Sequence, residues 1–155
     1  MKKTWIYTVN IAAALGVGVL SAFVSGNMDV FQTIEKPPLT PPAALFPIVW
    51  TILFTLMGIG ISLVLTSDSK TGQKKESLRL YVLQLIFNFF WSILFFNMRL
   101  FGVAFFWLLA LWILIVLMTV SFRKSSKPAA YLQIPYIVWV AFAGYLNLAI
   151  YFLSK

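Results

Sequence analysis

Five long apolar segments without a charged side chain constrain this sequence more than any other feature. They cover about residues 5–25, 43–66, 80–98, 100–122 and 129–153. Each is close to the roughly 20 residues that a helix needs to cross a bilayer. Open strands are excluded, because unpaired backbone groups cannot face lipid. The segments therefore predict an all-α integral membrane protein, in which residues 1–155 form one domain, a bundle of five transmembrane helices.

The basic residues lie between these segments and predict the orientation. Only 10% of residues are charged and the net charge is +8, whereas about a quarter of residues are charged in soluble domains. This pattern indicates membrane topology and contact with anionic lipid, and we expect no nucleic-acid partner. Lys and Arg concentrate before residue 5 and in the loops 66–80 and 122–129. The positive-inside rule then predicts a cytoplasmic N-terminus, with the first loop and the C-terminus outside. We expect the membrane to be the plasma membrane of the cell.

The N-terminal segment leaves an alternative open. Lys2 and Lys3 before an apolar run could belong to a signal peptide. The four-residue spacing of Ala14, Gly18 and Ala22 instead favours a closely packed helix. That small-residue face suits packing within the bundle and contact with a second copy equally well.

The residue types that are missing exclude several kinds of chemistry. The sequence has no Cys and no His, which removes disulfides, Cys/His zinc sites and the common nucleophile–base pairs. We expect no metal and no cofactor. The four acidic residues, Asp29, Glu35, Asp68 and Glu76, are all predicted in loops. Pumps and proton-driven carriers place such groups within the membrane, so these classes are disfavoured.

A proline-rich connection precedes the second apolar segment. Residues 36–42 read KPPLTPP, and proline fixes φ and lacks an N–H, so this stretch cannot be regular helix. We call it the strap and predict a stiff, extended connection that ends where a helix starts at Ala43. It would serve as a wall and lid of a binding site.

Three of the predicted helices carry aromatic stripes. The third has Gln84, Asn88, Trp91 and Phe95 on one face; the second has Pro47, Trp50, Phe54, Met57 and Ile61; the fifth has Tyr136, Trp139, Ala143 and Leu146. Pro135 should kink the fifth helix. Converging stripes would form a slot for a large planar hydrophobic ligand, anchored by one or two hydrogen bonds. The alternative is a packed aromatic core in which the amides only join helices.

Four motifs together resemble the translocator protein / tryptophan-rich sensory protein family (TspO/MBR). They are the strap, the run PIVWTILF at 47–54, the run QLIFNFFW at 84–91, and the run PYIVWVAFAGYLN at 135–147. The resemblance implies a five-helix bundle, often a homodimer, with a cavity under the first loop. It also implies binding of porphyrins, in some members of sterols, and roles in sensing, scavenging or transport, with light-dependent porphyrin degradation as an alternative.

The resemblance also implies which residues contact a ligand. These are Phe31, Pro41, Trp50, Phe54, Asn88, Phe90, Trp139, Ala143 and Leu146, to which the aromatic stripes add Trp91 and Tyr136. Trp50 and Trp139 match the tryptophans implicated in porphyrin breakdown, and would be the catalytic residues if that activity is present. Sterol binding has weak support from the pattern Leu148, Tyr151 and Lys155. A structural accessory protein is the remaining alternative.

The sequence departs from the family pattern at four places. Leu39 replaces a usual Trp, Ser62 a frequent Tyr, Ser92 and Ile93 a Pro pair, and Trp107 a frequent acidic residue. We expect these changes to alter ligand choice without altering the fold.

Overall fold

The structure is a computed structural model that describes residues 2–25 and 36–154. In this part of the chain the α-helices are α1 (Lys2–Val24), α2 (Leu45–Leu65), α3 (Thr71–Ser92), α4 (Phe101–Ser125), α5 (Lys127–Tyr131) and α6 (Ile134–Leu153). A π-helical turn, Ile93–Asn97, continues α3. Five spans are long and apolar enough to cross a membrane: α1, α2, α3 with its π turn, α4, and α5 with α6. The predicted all-α class with five transmembrane helices is confirmed.

The third helix begins earlier than its apolar segment. It starts at Thr71, whereas the apolar run starts near Leu80, because hydropathy marks only the part that lies in hydrocarbon. The prediction that Glu76 lies in a loop is therefore wrong, since it is an exposed residue of α3. The early turns are held to α4: the amide nitrogen of Gln73 donates to the carbonyl oxygen and the hydroxyl of Ser121, at 3.0 and 3.1 Å.

The fifth span is broken rather than kinked. The short helix α5 ends at Tyr131 and α6 begins at Ile134. A proline ring clashes with the carbonyl four residues before it, and for Pro135 that residue is Tyr131. Gln133 bridges the break, because its amide nitrogen donates to the carbonyl oxygens of Leu56 and Ala129 at 3.1 and 3.3 Å.

The first helix packs closely on α2 through small residues. A Cβ on Gly58 would lie 2.6 Å from Cα of Ile11, and a Cβ on Gly18 would lie 2.8 Å from the Phe54 ring. Ser62 accepts a hydrogen bond from the Asn10 amide at 3.0 Å. Ala14 is fully buried. Ala14 and Gly18 are thus used for packing within the bundle, while Ala22 is exposed on the helix surface.

The strap contains a turn and is not extended throughout. Pro38 and Leu39 form the turn, and Leu39 has a φ of 70°, in the left-handed region that non-glycine residues rarely adopt. The Thr40 hydroxyl donates to the Pro37 carbonyl oxygen at 2.6 Å. The Tyr145 hydroxyl donates to the Pro38 carbonyl oxygen at 2.7 Å and so ties the strap to α6. As predicted, the strap has no regular helix, and α2 starts at Leu45 rather than Ala43.

Candidate functional site

A cavity of about 330 Å³ lies between the helices near the strap end of the bundle. Residues of α1, α2, α3, the π turn and α6 surround it. Four lining residues are exposed at the surface of the bundle, so the cavity is partly open: Val19, Ala22, Pro47 and Thr51. Its lining comprises Leu15, Gly18, Val19, Ser21, Ala22, Ser25, Phe46, Pro47, Trp50, Thr51, Phe54, Asn88, Trp91, Ser92, Phe95, Phe96, Trp139, Ala143, Leu146 and Asn147.

Aromatic rings form much of the wall and support one another. The Trp50 ring lies 5.7 Å from that of Phe54 and edge-on to that of Tyr136, at 6.3 Å. The Trp139 ring makes an edge contact with Phe46 at 5.7 Å. Such offset and edge geometries are the favourable ones for aromatic pairs. The two tryptophans are therefore held in place before any ligand arrives.

Seven of the predicted ligand-contact residues line this cavity. They are Trp50, Phe54, Asn88, Trp91, Trp139, Ala143 and Leu146. The convergence of the three stripes follows from helix periodicity, because each stripe lies on the face that its helix turns towards the interior.

Three of the other predicted residues are described and do not line the cavity. Phe90 is 46% exposed and packs beside Trp107 on the outer side of α3, because it lies on a different face of the helix from Asn88 and Trp91. Tyr136 is buried behind the wall and contacts the cavity only through other residues. Pro41 belongs to the strap and is not part of the lining. Phe31 lies outside the described residues.

Sequence reasoning missed the wall that α1 contributes. Six α1 or adjacent residues line the cavity, from Leu15 to Ser25, and they have small or aliphatic side chains with no distinctive pattern. The spacing of Ala14, Gly18 and Ala22 was the available signal for this wall, because small residues mark a helix face that another helix approaches closely. Phe96 was also missed. Consecutive residues Phe95 and Phe96 both reach the cavity, where the chain forms the π turn rather than a regular helix.

The polar groups of the wall differ in whether their hydrogen-bonding atoms have partners. Asn147 uses both ends of its amide: its oxygen accepts from Trp91 Nε1 at 3.1 Å, and its nitrogen donates to the Phe101 carbonyl oxygen at 2.8 Å. Trp139 Nε1 is buried and has no hydrogen-bond partner among the described residues. A ligand acceptor close to this N–H would satisfy a donor that the protein leaves unpaired.

A chain of hydrogen bonds runs from Asn88 away from the cavity. The Asn88 amide nitrogen donates to the Tyr136 hydroxyl at 2.7 Å, and that hydroxyl donates to Gln84 Oε1 at 2.6 Å. The Gln84 amide nitrogen in turn lies 3.6 Å from the sulfur of Met57. We call these four side chains the amide relay. The amides of the third-helix stripe therefore join helices, and one of them, Asn88, also lines the cavity, so its role as a ligand anchor stays a prediction.

The described part of the site carries no charged side chain. Within residues 2–25 and 36–154, no Asp, Glu, Lys or Arg belongs to its lining. In the described part of the chain, no cluster of three or more His, Cys, Asp or Glu side chains could hold a metal ion. The arrangement suits binding by stacking, apolar contact and a few hydrogen bonds.

Of the four departures from the family pattern, one reaches the cavity. Ser92 lines it, where Ile93 begins the π turn. Trp107 instead stacks on Phe87 at 4.4 Å, and its Nε1 donates to the Phe87 carbonyl oxygen at 2.8 Å. Leu39 is 81% exposed in the strap, and Ser62 packs against α1. Ser92 is thus the departure placed to change ligand contacts.

Comparisons with known proteins give a consistent result. The model of the TspO/MBR family matches residues 9–153. The chain is 42% identical over 120 residues to "Tryptophan-rich protein TspO" of Chlorobaculum tepidum, covering 77% of this chain and 76% of that protein. It is 35% identical over 147 residues to the protein of the same name of Archaeoglobus fulgidus, with 94% of each covered. It is 37% identical over 120 residues to "Translocator protein" of Ovis aries, with 76% and 70% covered.

Proposed function

The chain belongs to the TspO/MBR family, and on that premise we propose that it binds porphyrins and similar planar hydrophobic ligands as a sensor, scavenger or carrier. The observation that carries the proposal is a cavity that has Trp50 and Trp139 in its wall and no charged side chain among its described lining residues. Flat aromatic surfaces offer stacking to a planar ring, and the absence of charge favours an apolar ligand over an ion.

The size of the cavity is compatible with this ligand class. Its 330 Å³ lies within the range of roughly 300–1,000 Å³ that is usual for small-molecule sites. Since Val19 and Thr51 mark an open side, part of a larger ring system can project beyond the enclosed volume. The unpaired Trp139 N–H would favour a ligand with an acceptor at its edge.

The proposal is tested by titrating the purified protein with protoporphyrin in the dark and following the porphyrin absorbance band. Trp50→Phe and Trp139→Phe should each weaken binding by roughly three- to tenfold, the value of one aromatic contact. Trp107→Phe and Trp112→Phe are the controls, because those indoles donate to the backbone carbonyls of Phe87 and Ile137 outside the cavity. Equal effects of all four variants, or no saturable binding, would contradict the proposal.

A second candidate function is light-dependent oxidation of a bound porphyrin, with dioxygen as the oxidant. It is favoured by the position of Trp50 and Trp139, which would flank an excited ligand. Together with Trp91 they are the side chains of the wall most readily oxidised. New absorbing products should form only under light and with oxygen. They should be lost in Trp50→Phe or Trp139→Phe under conditions in which the porphyrin remains bound, and products that persist in both variants would rule out this role.

We also propose the plasma membrane as the location, with the N-terminus cytoplasmic. The support for the orientation is a concentration of exposed basic residues at the end of the bundle where α3 begins and α4 ends. They are Lys70, Lys75, Arg79, Arg123, Lys124 and Lys127. A homodimer remains part of the proposal. Because Ala14 and Gly18 pack within the bundle, a second copy would have to use a different face.

A further inference from the structure

The amide relay gives the cavity a defined hydrogen-bonding character. Asn88 lines the cavity, and its amide nitrogen donates one of its two hydrogens to the Tyr136 hydroxyl. No described group donates to its oxygen Oδ1, and this oxygen is not among the fully enclosed polar atoms that lack a partner. The Asn88 atom that has no partner among the described residues is therefore the acceptor oxygen. The Asn88 oxygen stays without a partner only if Asn88 donates to Tyr136 and Tyr136 donates to Gln84, rather than the reverse.

The direction in which hydrogen bonds are donated along the relay is set at Met57, the member farthest from the cavity along the chain of hydrogen bonds. The chemistry there does not depend on the cavity. A thioether sulfur can accept a hydrogen bond but has no hydrogen to donate. The Gln84 group that faces Met57 must therefore be the nitrogen, as is found at 3.6 Å. Gln84 Oε1 is then left to accept from the Tyr136 hydroxyl, and that hydroxyl oxygen is left to accept from Asn88.

The reverse direction has a definite cost. It would turn Gln84 Oε1 towards the sulfur, and Gln84 is completely buried, so no water could replace the missing donor. A buried acceptor left unpaired costs enough to disfavour that arrangement by roughly five- to a hundredfold. With Leu at position 57 neither end of the Gln84 amide finds a partner there, so the preference for one direction disappears.

We propose that Met57, acting through Gln84 and Tyr136, makes Asn88 a fixed hydrogen-bond acceptor, so that the cavity selects planar ligands carrying an N–H or O–H donor. The proposal rests on the cavity being the ligand site inferred above. Met57, Gln84 and Tyr136 are positioning residues in this scheme, and Asn88 is the residue that touches the ligand. The selection is for a donor group on the ligand and is separate from stacking on Trp50 and Trp139.

The test compares two rigid planar probes of nearly the same shape. Carbazole carries one N–H donor, whereas dibenzofuran has an oxygen in its place and no donor. The dissociation constants of both are measured by calorimetry on the purified full chain in detergent. The ratio of the two constants is then compared between variants, so that partition of the probes into detergent cancels. The unmodified protein should bind carbazole about fivefold more tightly, the value of one hydrogen bond.

The variants separate a positioning role from a general packing role. Met57→Leu conserves volume and should bring the ratio close to one. Tyr136→Phe, which breaks the relay at its centre, should do the same. Met118→Leu is the matched control, since Met118 is also fully buried but lies on α4 outside the cavity lining; it should leave the ratio unchanged.

Each outcome bears on the inference. A ratio near one in the unmodified protein, an unchanged ratio in Met57→Leu, or failure of both probes to bind would overturn it. Protoporphyrin is titrated with the same preparations. If protoporphyrin binds and the probe ratio does not depend on Met57, the relay inference fails alone. If protoporphyrin does not bind in the cavity, the proposed function fails as well.

Discussion

At the scale of single residues, the buried amides show that side-chain chemistry can predict which way a residue faces before its hydrogen-bond partner is known. Gln84 and Asn88 lie on an otherwise apolar face, so the sequence predicts that each turns to the interior and finds a partner. The structure supplies those partners, Tyr136 and Met57, from two other helices. Phe90 shows how face and sequence position differ, because Asn88 and Trp91 line the cavity while the Phe90 ring is exposed.

Gly58 is the position where one added methyl group should have the largest effect on helix packing. A Cβ there would lie 2.6 Å from the Ile11 Cα and 2.8 Å from its backbone nitrogen, and backbone cannot move aside as a side chain can. Gly58→Ala should lower the free energy of unfolding by about 1–3 kcal/mol. The measurement is thermal or denaturant unfolding of the purified protein in detergent.

Gly16→Ala provides the control for this substitution. A Cβ on Gly16 meets nothing within 4 Å, and alanine is favoured over glycine within a helix by about 0.5–1 kcal/mol. The control should be as stable as the unmodified protein or slightly more so. A similar loss of stability in both variants would show that α1 does not pack on Gly58 as described.

At the scale of elements, α3 extends beyond the apolar segment that identifies it. Its first turns carry charged residues and are held to α4 by Gln73, Ser77 and Ser121, whose two serine hydroxyls are 2.7 Å apart. Amides and serines at a membrane surface can bond to water as readily as to another helix, so the sequence does not predict this contact. Hydropathy therefore located the span but misplaced its beginning.

Gln73→Ala should destabilise the first turns of α3, which precede its apolar segment. Loss of the hydrogen bonds from Gln73 to Ser121 should accelerate amide hydrogen exchange of residues 74–79 by roughly fivefold, corresponding to one hydrogen bond. Lys75→Ala is the control, because Lys75 is exposed on the same turns and alanine is a strong helix former. If exchange is equally fast in both variants, the contact does not hold the extension.

At the scale of the whole molecule, the cavity exists because four of the five spans do not fill the space between them at the strap end. Its wall takes residues from α1, α2, α3, the π turn and α6, so no single element contains the site. Among the described residues, the Asn147 amide and the Trp91 indole of the wall have hydrogen-bond partners, whereas Trp139 Nε1 and the Asn88 oxygen have none. A ligand would meet a preformed surface with few directional groups.

Filling the cavity should weaken binding without destabilising the fold. Ala143→Leu adds apolar volume to the wall, so protoporphyrin affinity should fall by about tenfold or more while thermal stability stays equal or rises, because an empty volume is costly. Ala141→Leu is the control, since Ala141 is exposed on α6 and outside the lining. Unchanged affinity in Ala143→Leu would place the porphyrin elsewhere.

The absence of cysteine makes the orientation directly measurable. Since the sequence has none, Leu39→Cys and Lys70→Cys each introduce one thiol at an exposed position at opposite ends of the bundle. A membrane-impermeant maleimide added to intact cells should label the first variant, and label the second only after the membrane is permeabilised. The opposite pattern would reverse the proposed orientation.

The sequence by itself determined the class of protein, the number of spans and the inward faces of three helices. Those properties depend on local facts: the length of apolar runs, the 3.6-residue period and the cost of burying an amide. Only the tertiary structure decided that α1 closes the cavity, that Pro135 separates two helices, and that Asn88 keeps a free acceptor. These depend on contacts such as Gly58 with Ile11 and Met57 with Gln84, whose members are far apart in the chain. Each pairing is selected by the packing of whole helices rather than by either residue alone.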